Sequence, residues 1–140
     1  MIIPVFLPHL GCSERCIYCN QGYITNVQDD NIAKKINHAL NVGTNLFEVG
    51  LYGGNIFNID TALLKRIFSY FEPYRDRITN FRISTKPIPL RKEIIRILKS
   101  NNVSVIELGM PVFNDNILKT LNRQHTTAEF IETFSALKAE

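Results

Sequence analysis

The 140-residue chain is predicted to be an α/β protein of four successive βα units. Three observations lead there. Short runs rich in β-branched and aromatic residues alternate with longer segments of helical period, the order expected of βαβ units. The composition, 45% hydrophobic, 10% aromatic and 21% charged, is that of a single globular domain rather than a disordered or fibrous chain. Finally, every unusual stretch follows a predicted strand, and parallel βα proteins collect their function beyond the carboxyl ends of their strands.

The elements follow in order. Ile2 to Leu7 is the first strand, and it leads through Pro8, His9 and Gly11 into a loop holding Cys12, Cys16 and Cys19. Asp29 or Asp30 caps a helix in which Ile32, Ile36 and Leu40 share one face, and Gly43 suits the position just past its end. Leu46 to Tyr52 is an apolar strand ending at Gly53-Gly54. Asp60 precedes a second helix with Leu63, Leu64, Ile67, Phe68 and Phe71 as its core stripe, stopped by Pro73. Strand three runs from Asn80 to Thr85 and turns at Pro87 and Pro89.

In the third helix Leu90, Ile94 and Leu98 face inward, while Arg91, Lys92, Arg96 and Lys99 form an outward basic ridge, either a solvated face or a contact for phosphates. Strand four is Val103 to Leu108. Asn114 then caps a short helix bearing Ile117, Leu118 and Leu121, and Thr126 with Glu129 stands at capping-box spacing ahead of a last helix from Thr127 to Ala139. Four parallel units cannot close a barrel, so the unpaired strand at Val103 to Leu108 predicts self-association or a partner that completes the sheet.

No apolar run approaches the roughly 18 residues of a membrane span, and "MIIPVFLPHL" lacks the basic start of a signal peptide. The expectation is a cytoplasmic protein without a membrane span. A net charge of +3 permits an anionic partner such as nucleic acid without requiring one. All three cysteines fall within eight positions, and an odd, clustered set argues for metal or redox chemistry over a disulfide framework. Three thiolates leave one iron of a [4Fe–4S] cube unclaimed and open to a small molecule. The alternative is a structural zinc completed by His9, His38 or His125.

"CSERCIYCN", with Tyr18 just before the last cysteine, resembles the C-x3-C-x-aromatic-C loop of the radical S-adenosylmethionine (SAM) superfamily. The resemblance continues through "LYGGN", "ISTKP" and "ELGMPVFNDNILKTLNRQHT", and it is strongest to the Elongator-like and coproporphyrinogen-oxidase-like branches. It implies a partial (β/α)6 TIM-like barrel, of which residues 1–140 would be the N-terminal portion. It implies that Cys12, Cys16 and Cys19 hold a [4Fe–4S] cluster, and that SAM chelates its open iron and is cleaved reductively to a 5′-deoxyadenosyl radical. Tyr18 would pack near the adenine, and Gly53 and Gly54 would form the glycine motif at the SAM amino group, followed by Asn55 in the same cofactor-binding stretch where an acid or a small hydroxyl residue is common. Gly54 would thus serve SAM rather than cluster assembly. Arg123 would face the SAM carboxylate.

Ser84 stands where relatives carry a SAM-binding acid, and its hydroxyl serves either SAM or the backbone. An electron donor such as ferredoxin or flavodoxin is implied as partner, and the Elongator-like side implies transfer RNA as substrate. The chain also departs from the pattern. Pro111 replaces a glutamine that contacts SAM and offers no N–H in its place, and Asn122 and Gln124 flank Arg123 where glycines are usual. A degenerate remnant without activity and a non-catalytic metal-binding module therefore remain as alternatives to the enzyme.

Overall fold

The computed structural model describes residues 1–13, 15–20, 23, 31–41 and 45–140. Strands β1 (Ile2–Phe6), β2 (Phe47–Tyr52), β3 (Ile78–Thr85) and β4 (Val103–Leu108) alternate with helices α1 (Ile32–Leu40), α2 (Thr61–Ser69) and α3 (Lys92–Ser100), and α4 (Asp115–Thr120) and α5 (Thr127–Ala139) follow β4. The strands form one parallel sheet in the order β1-β2-β3-β4. Sequential parallel order is what βα units produce when each crossover returns the chain beside the preceding strand. β4 is an edge strand, as its sequence position requires, and β1 is the other edge.

Alternation along the strands sorts the two faces of the sheet. Ile3, Val5, Val49, Leu51, Phe81 and Ile83 are buried with Ile36, Leu40, Leu64, Ile67, Phe68, Ile94 and Leu98 of the helices in one core. At its centre the Phe81 ring meets Phe68 and Phe71 edge-on, with centroids 5.3 and 5.0 Å apart. The opposite face carries Ile2 and Phe6 of β1, both exposed, and a polar network across β2, β3 and β4. Arg82 donates from Nε to Glu48 at 2.9 Å and from Nη1 to Glu107 at 2.8 Å, and Asn80 donates to Glu48 and to Ser104 Oγ, so β2, β3 and β4 are tied by charge as well as by backbone. Hydrogen bonding to Arg82 holds the Glu48 carboxyl below its ordinary value.

Several local expectations shift. Asp29, Asp30 and Gly43 lie outside the described residues, and the cap of α1 is Asn31, whose side chain accepts from the Lys34 N–H. α2 is capped by Asp60 as expected, but it ends at Ser69, and Pro73 sits in the first turn of a 3₁₀ segment, Glu72–Arg77. Proline lacks only a donor that the first turn of a helix does not use, so it starts this segment instead of stopping the previous one. β3 begins at Ile78, earlier than its apolar run suggests. The basic ridge is also partly consumed. Arg91 donates to the carbonyls of Phe57 and Ile59, and Lys99 pairs with Glu140 at 2.6 Å. Asn114 and the Thr126–Glu129 capping box form as expected. No helix among the described residues is long and apolar enough to cross a membrane.

Candidate functional site

The loop after β1 turns sharply because two residues adopt left-handed backbone, His9 at φ 57° and Gly11 at φ 75°. At Gly11 an added Cβ would lie 2.3 Å from the Asn55 carbonyl oxygen, so both the conformation and the approach require glycine. The loop is pinned to the end of β2 by three backbone bonds, Leu7 N–H to the Tyr52 carbonyl, His9 N–H to that of Gly53, and Asn55 N–H to that of Leu10, each 2.7 Å. Its far side is bonded to the turn after α4. Ile17 N–H donates to the Leu121 carbonyl at 3.2 Å, and Asn122, at φ 55°, donates its side-chain amide to the Arg15 carbonyl at 2.7 Å across 107 positions of sequence.

This framework gathers the three cysteine side chains, none in a disulfide, Cys16 buried and Cys12 and Cys19 half-buried, around one cavity of about 140 Å³. Gly53, Gly54, Ser84 and Arg123 line the same cavity, so three strand ends and the turn after α4 converge on the cysteines. Among the described residues, no three His, Cys, Asp or Glu side chains close on a point as a single ion requires. The thiols instead surround a space, which suits a body with several metal corners. Of the zinc-ligand candidates, His9 lines the cavity, His38 is exposed on α1, and His125 is buried among other residues.

The electrostatics are one-sided. Arg15, Lys86 and Arg123 line the cavity, and no Asp or Glu does so among the described residues. Lys86, within the "ISTKP" stretch, is only 8% exposed, a burial that a lysine after a strand does not by itself suggest. A cationic, glycine-walled recess with three thiols fits an anionic thiolate-bound cluster, whose negative charge the nearby cations offset. Burial, then the charge of Arg15, lowers the His9 pKa from its ordinary value.

Arg123 is the pivot of the wall. It donates from Nη1 to the Cys16 Sγ at 3.6 Å and from Nη2 to the Gly109 carbonyl, and its Nε is buried without a partner. Both terminal nitrogens reach protein atoms, at the cavity where the resemblance places this guanidinium against the SAM carboxylate. An added Cβ at Gly109 would lie 3.0 Å from Arg123 Nη2, the end of a flexible side chain.

The remaining sequence candidates are distributed around this centre. Tyr18 is 53% exposed and outside the cavity lining; burial raises its phenol pKa, Arg123 opposes the rise, and Cys16 and Cys19 add to it. Asn55 is buried behind the wall, where its Oδ1 accepts from Thr85 Oγ1 at 2.9 Å while that oxygen accepts from the Phe57 N–H at 3.2 Å. Gly53, at φ 88°, adopts a backbone that only glycine takes readily. Gly54 is required by contact, since its Cβ would stand 2.5 Å from the Leu10 carbonyl oxygen. Pro111 is exposed beyond β4.

The family model of the Radical SAM superfamily matches residues 6–140. The heme chaperone HemW of Lactococcus lactis subsp. lactis (strain IL1403) is 24% identical over 91% of this chain, which corresponds to 35% of that protein. Among solved structures, the archaeal Methanocaldococcus infernus Elp3 with an N-terminal deletion superimposes with a TM-score of 0.59 at 17% identity, over 94% of this chain and 33% of that one. The four-stranded sheet is thus part of the TIM-like barrel of that fold. The chain spans about a third of the length of each relative.

Proposed function

The chain belongs to the radical SAM superfamily, and from that premise we propose that residues 1–140 are the N-terminal portion of a radical SAM core whose Cys12, Cys16 and Cys19 hold a [4Fe–4S] cluster and whose cavity binds SAM. The observation that carries this reading is the convergence of the three thiols with Gly53, Gly54, Ser84 and Arg123 on one cationic cavity beyond the strand ends. When bound, the two cofactors supply one-electron reductive cleavage of SAM to a 5′-deoxyadenosyl radical.

The chain's own residues orient and shield. Arg123 donates from Nη1 to the Cys16 sulfur and ties the cysteine loop to the turn after α4. Gly53 and Gly54 remove side chains from the wall that SAM approaches, and Ser84 offers a hydroxyl from β3 into the same space. Asn55 serves from behind by fixing Thr85, and Tyr18 stands at the loop where the adenine would pack. A one-electron donor such as ferredoxin or flavodoxin, a cytoplasmic setting and a transfer RNA substrate complete the proposal, the last supported by the Elp3 likeness. β1 and β4 are the edge strands of this sheet.

A second reading, a haem-handling module that carries the same cluster without turnover, is favoured by the relative named heme chaperone. One set of experiments separates these readings. Anaerobically reconstituted protein binds about four irons with a broad band near ~400 nm, C16A abolishes it, and SAM is cleaved under strong reductant. Stoichiometric zinc that iron does not displace refutes the cluster. Tight haem binding without SAM cleavage selects the chaperone reading.

A further inference from the structure

We propose that the cleft between α4 and α5 binds a free α-amino acid as its zwitterion, methionine being the one that the proposed cleavage releases. This cleft, of about 330 Å³, is separate from the cysteine cavity and shares only Arg123 with it; Asp115 and Lys119 of α4, Glu129 of α5 and His125 of the turn between them complete its charged and titratable lining. Its volume is within the range of small-molecule sites. His125 is the group that calls for a ligand. The residue is 4% exposed, and among the described residues neither ring nitrogen has a partner. A buried imidazole in that state has lost its water without replacement, a cost that a bound hydrogen-bonding group recovers.

The charges around His125 indicate the class of ligand. Lys119 and Arg123 balance Asp115 and Glu129, yet among the described residues no ion pair joins these cations to these carboxylates. The terminal nitrogens of Arg123 reach Cys16 and Gly109 instead. Asp115 accepts from the Thr127 N–H and O–H through Oδ1, and Glu129 accepts from the Thr126 N–H and O–H through Oε2, so both carboxylates meet at the first turn of α5 and each has a second oxygen to offer. A ligand ammonium suits that pair. Lys119 and the His125 N–H are donors for a carboxylate. A purely anionic ligand would meet the two acids and a purely cationic one the two bases, whereas an α-amino acid carries both charges on one carbon. The zwitterionic class rests on the cleft alone, and the choice of methionine rests on the SAM reading above.

The test is equilibrium dialysis of L-methionine against the reconstituted protein, after its iron content has been determined, with and without saturating SAM. Wild type binds methionine, and SAM does not displace it. The amine that lacks the carboxylate and the acid that lacks the amino group each bind about ten- to a hundredfold more weakly, the range for a charge-assisted hydrogen bond. H125F weakens methionine and leaves the amine unchanged. D115N/E129Q, which keeps an acceptor for Thr126 and Thr127, weakens methionine and leaves the acid unchanged; it carries the comparison if H125F does not fold. No methionine binding, displacement by SAM, analogues that bind as well as methionine, or an affinity that neither variant moves each overturns the site while the SAM reading stands. Iron-loaded protein that binds methionine in this way but no SAM overturns the SAM reading while the site stands.

Discussion

Substitution of Gly54 by alanine tests whether the glycine pair serves the loop or the ligand. The new Cβ would stand 2.5 Å from the Leu10 carbonyl oxygen and 3.1 Å from that of Leu7, both backbone atoms without rotational escape. Ordinary contact begins near ~3.5 Å, so the loop must retreat by about 1 Å. Overpacking of this kind costs about 1–3 kcal/mol. The same Leu10 oxygen accepts the Asn55 N–H at 2.7 Å, and losing that bond adds about 1 kcal/mol. The expected total is about 3 kcal/mol, or about 10 °C in melting temperature for a chain of this size. Because Leu10 precedes Cys12 closely, iron loading falls as well, contrary to the sequence expectation that Gly54 faces SAM alone. G50A is the control, since its Cβ would meet only the Tyr52 ring, a half-buried side chain that can swing aside. Melting followed by circular dichroism and iron assay decide the matter. Unchanged melting with full iron loading in G54A would refute the reasoning.

Three further outcomes are expected. T126A removes the acceptor for the Glu129 N–H and half of the capping box of α5, at a cost of about 1 kcal/mol in denaturant titration. F81A, which empties the site between Phe68 and Phe71 at the centre of the core, costs about 3–5 kcal/mol and leaves little folded protein at 37 °C. In the protein without cofactors, burial and then the charges of Arg123 and Lys86 push His125 down to about 4, against the weaker pull of Glu129 and Asp115. The unfolded chain protonates this residue near ~6.5 while the native state does not, so its contribution is whole above that pH and falls as pH drops toward 4. The total loss is about 3 kcal/mol, and chemical denaturation at stepped pH, flattened in H125L, measures it.

Much of this architecture is legible in local sequence. β4 and α5 have the bounds that their apolar pattern and the Thr126–Glu129 spacing indicate, because pattern and capping are properties of neighbouring residues. The gathering of Cys12, Cys16 and Cys19 beside Gly53 and Gly54 follows from the rule that parallel strands present their carboxyl ends together. What stays hidden depends on distant partners. Arg91 reads as a ridge residue until the carbonyls of Phe57 and Ile59 come within reach of it, 34 and 32 positions away. Lys86 becomes a buried cavity wall only when β3 is flanked by β2 and β4, and Arg123 is spent on Cys16 and Gly109 by a turn that no periodicity describes. Composition records that such residues exist and is silent on what they meet.

The bonds from Asn122 to Arg15 and from Leu121 to Ile17 have a consequence for biosynthesis. They join the cysteine loop to residues 107 and 104 positions later, so the loop cannot take its final shape while only the first part of the chain has left the ribosome. At about 5–20 residues per second, elongation separates Arg15 from Asn122 by roughly 5 to 20 seconds. During that interval the thiols are bare to solvent and to oxidants. Metal delivery to a preformed site must follow the emergence of the turn after α4, and a nascent chain stalled before that turn will present three reactive cysteines without a guanidinium to hold them.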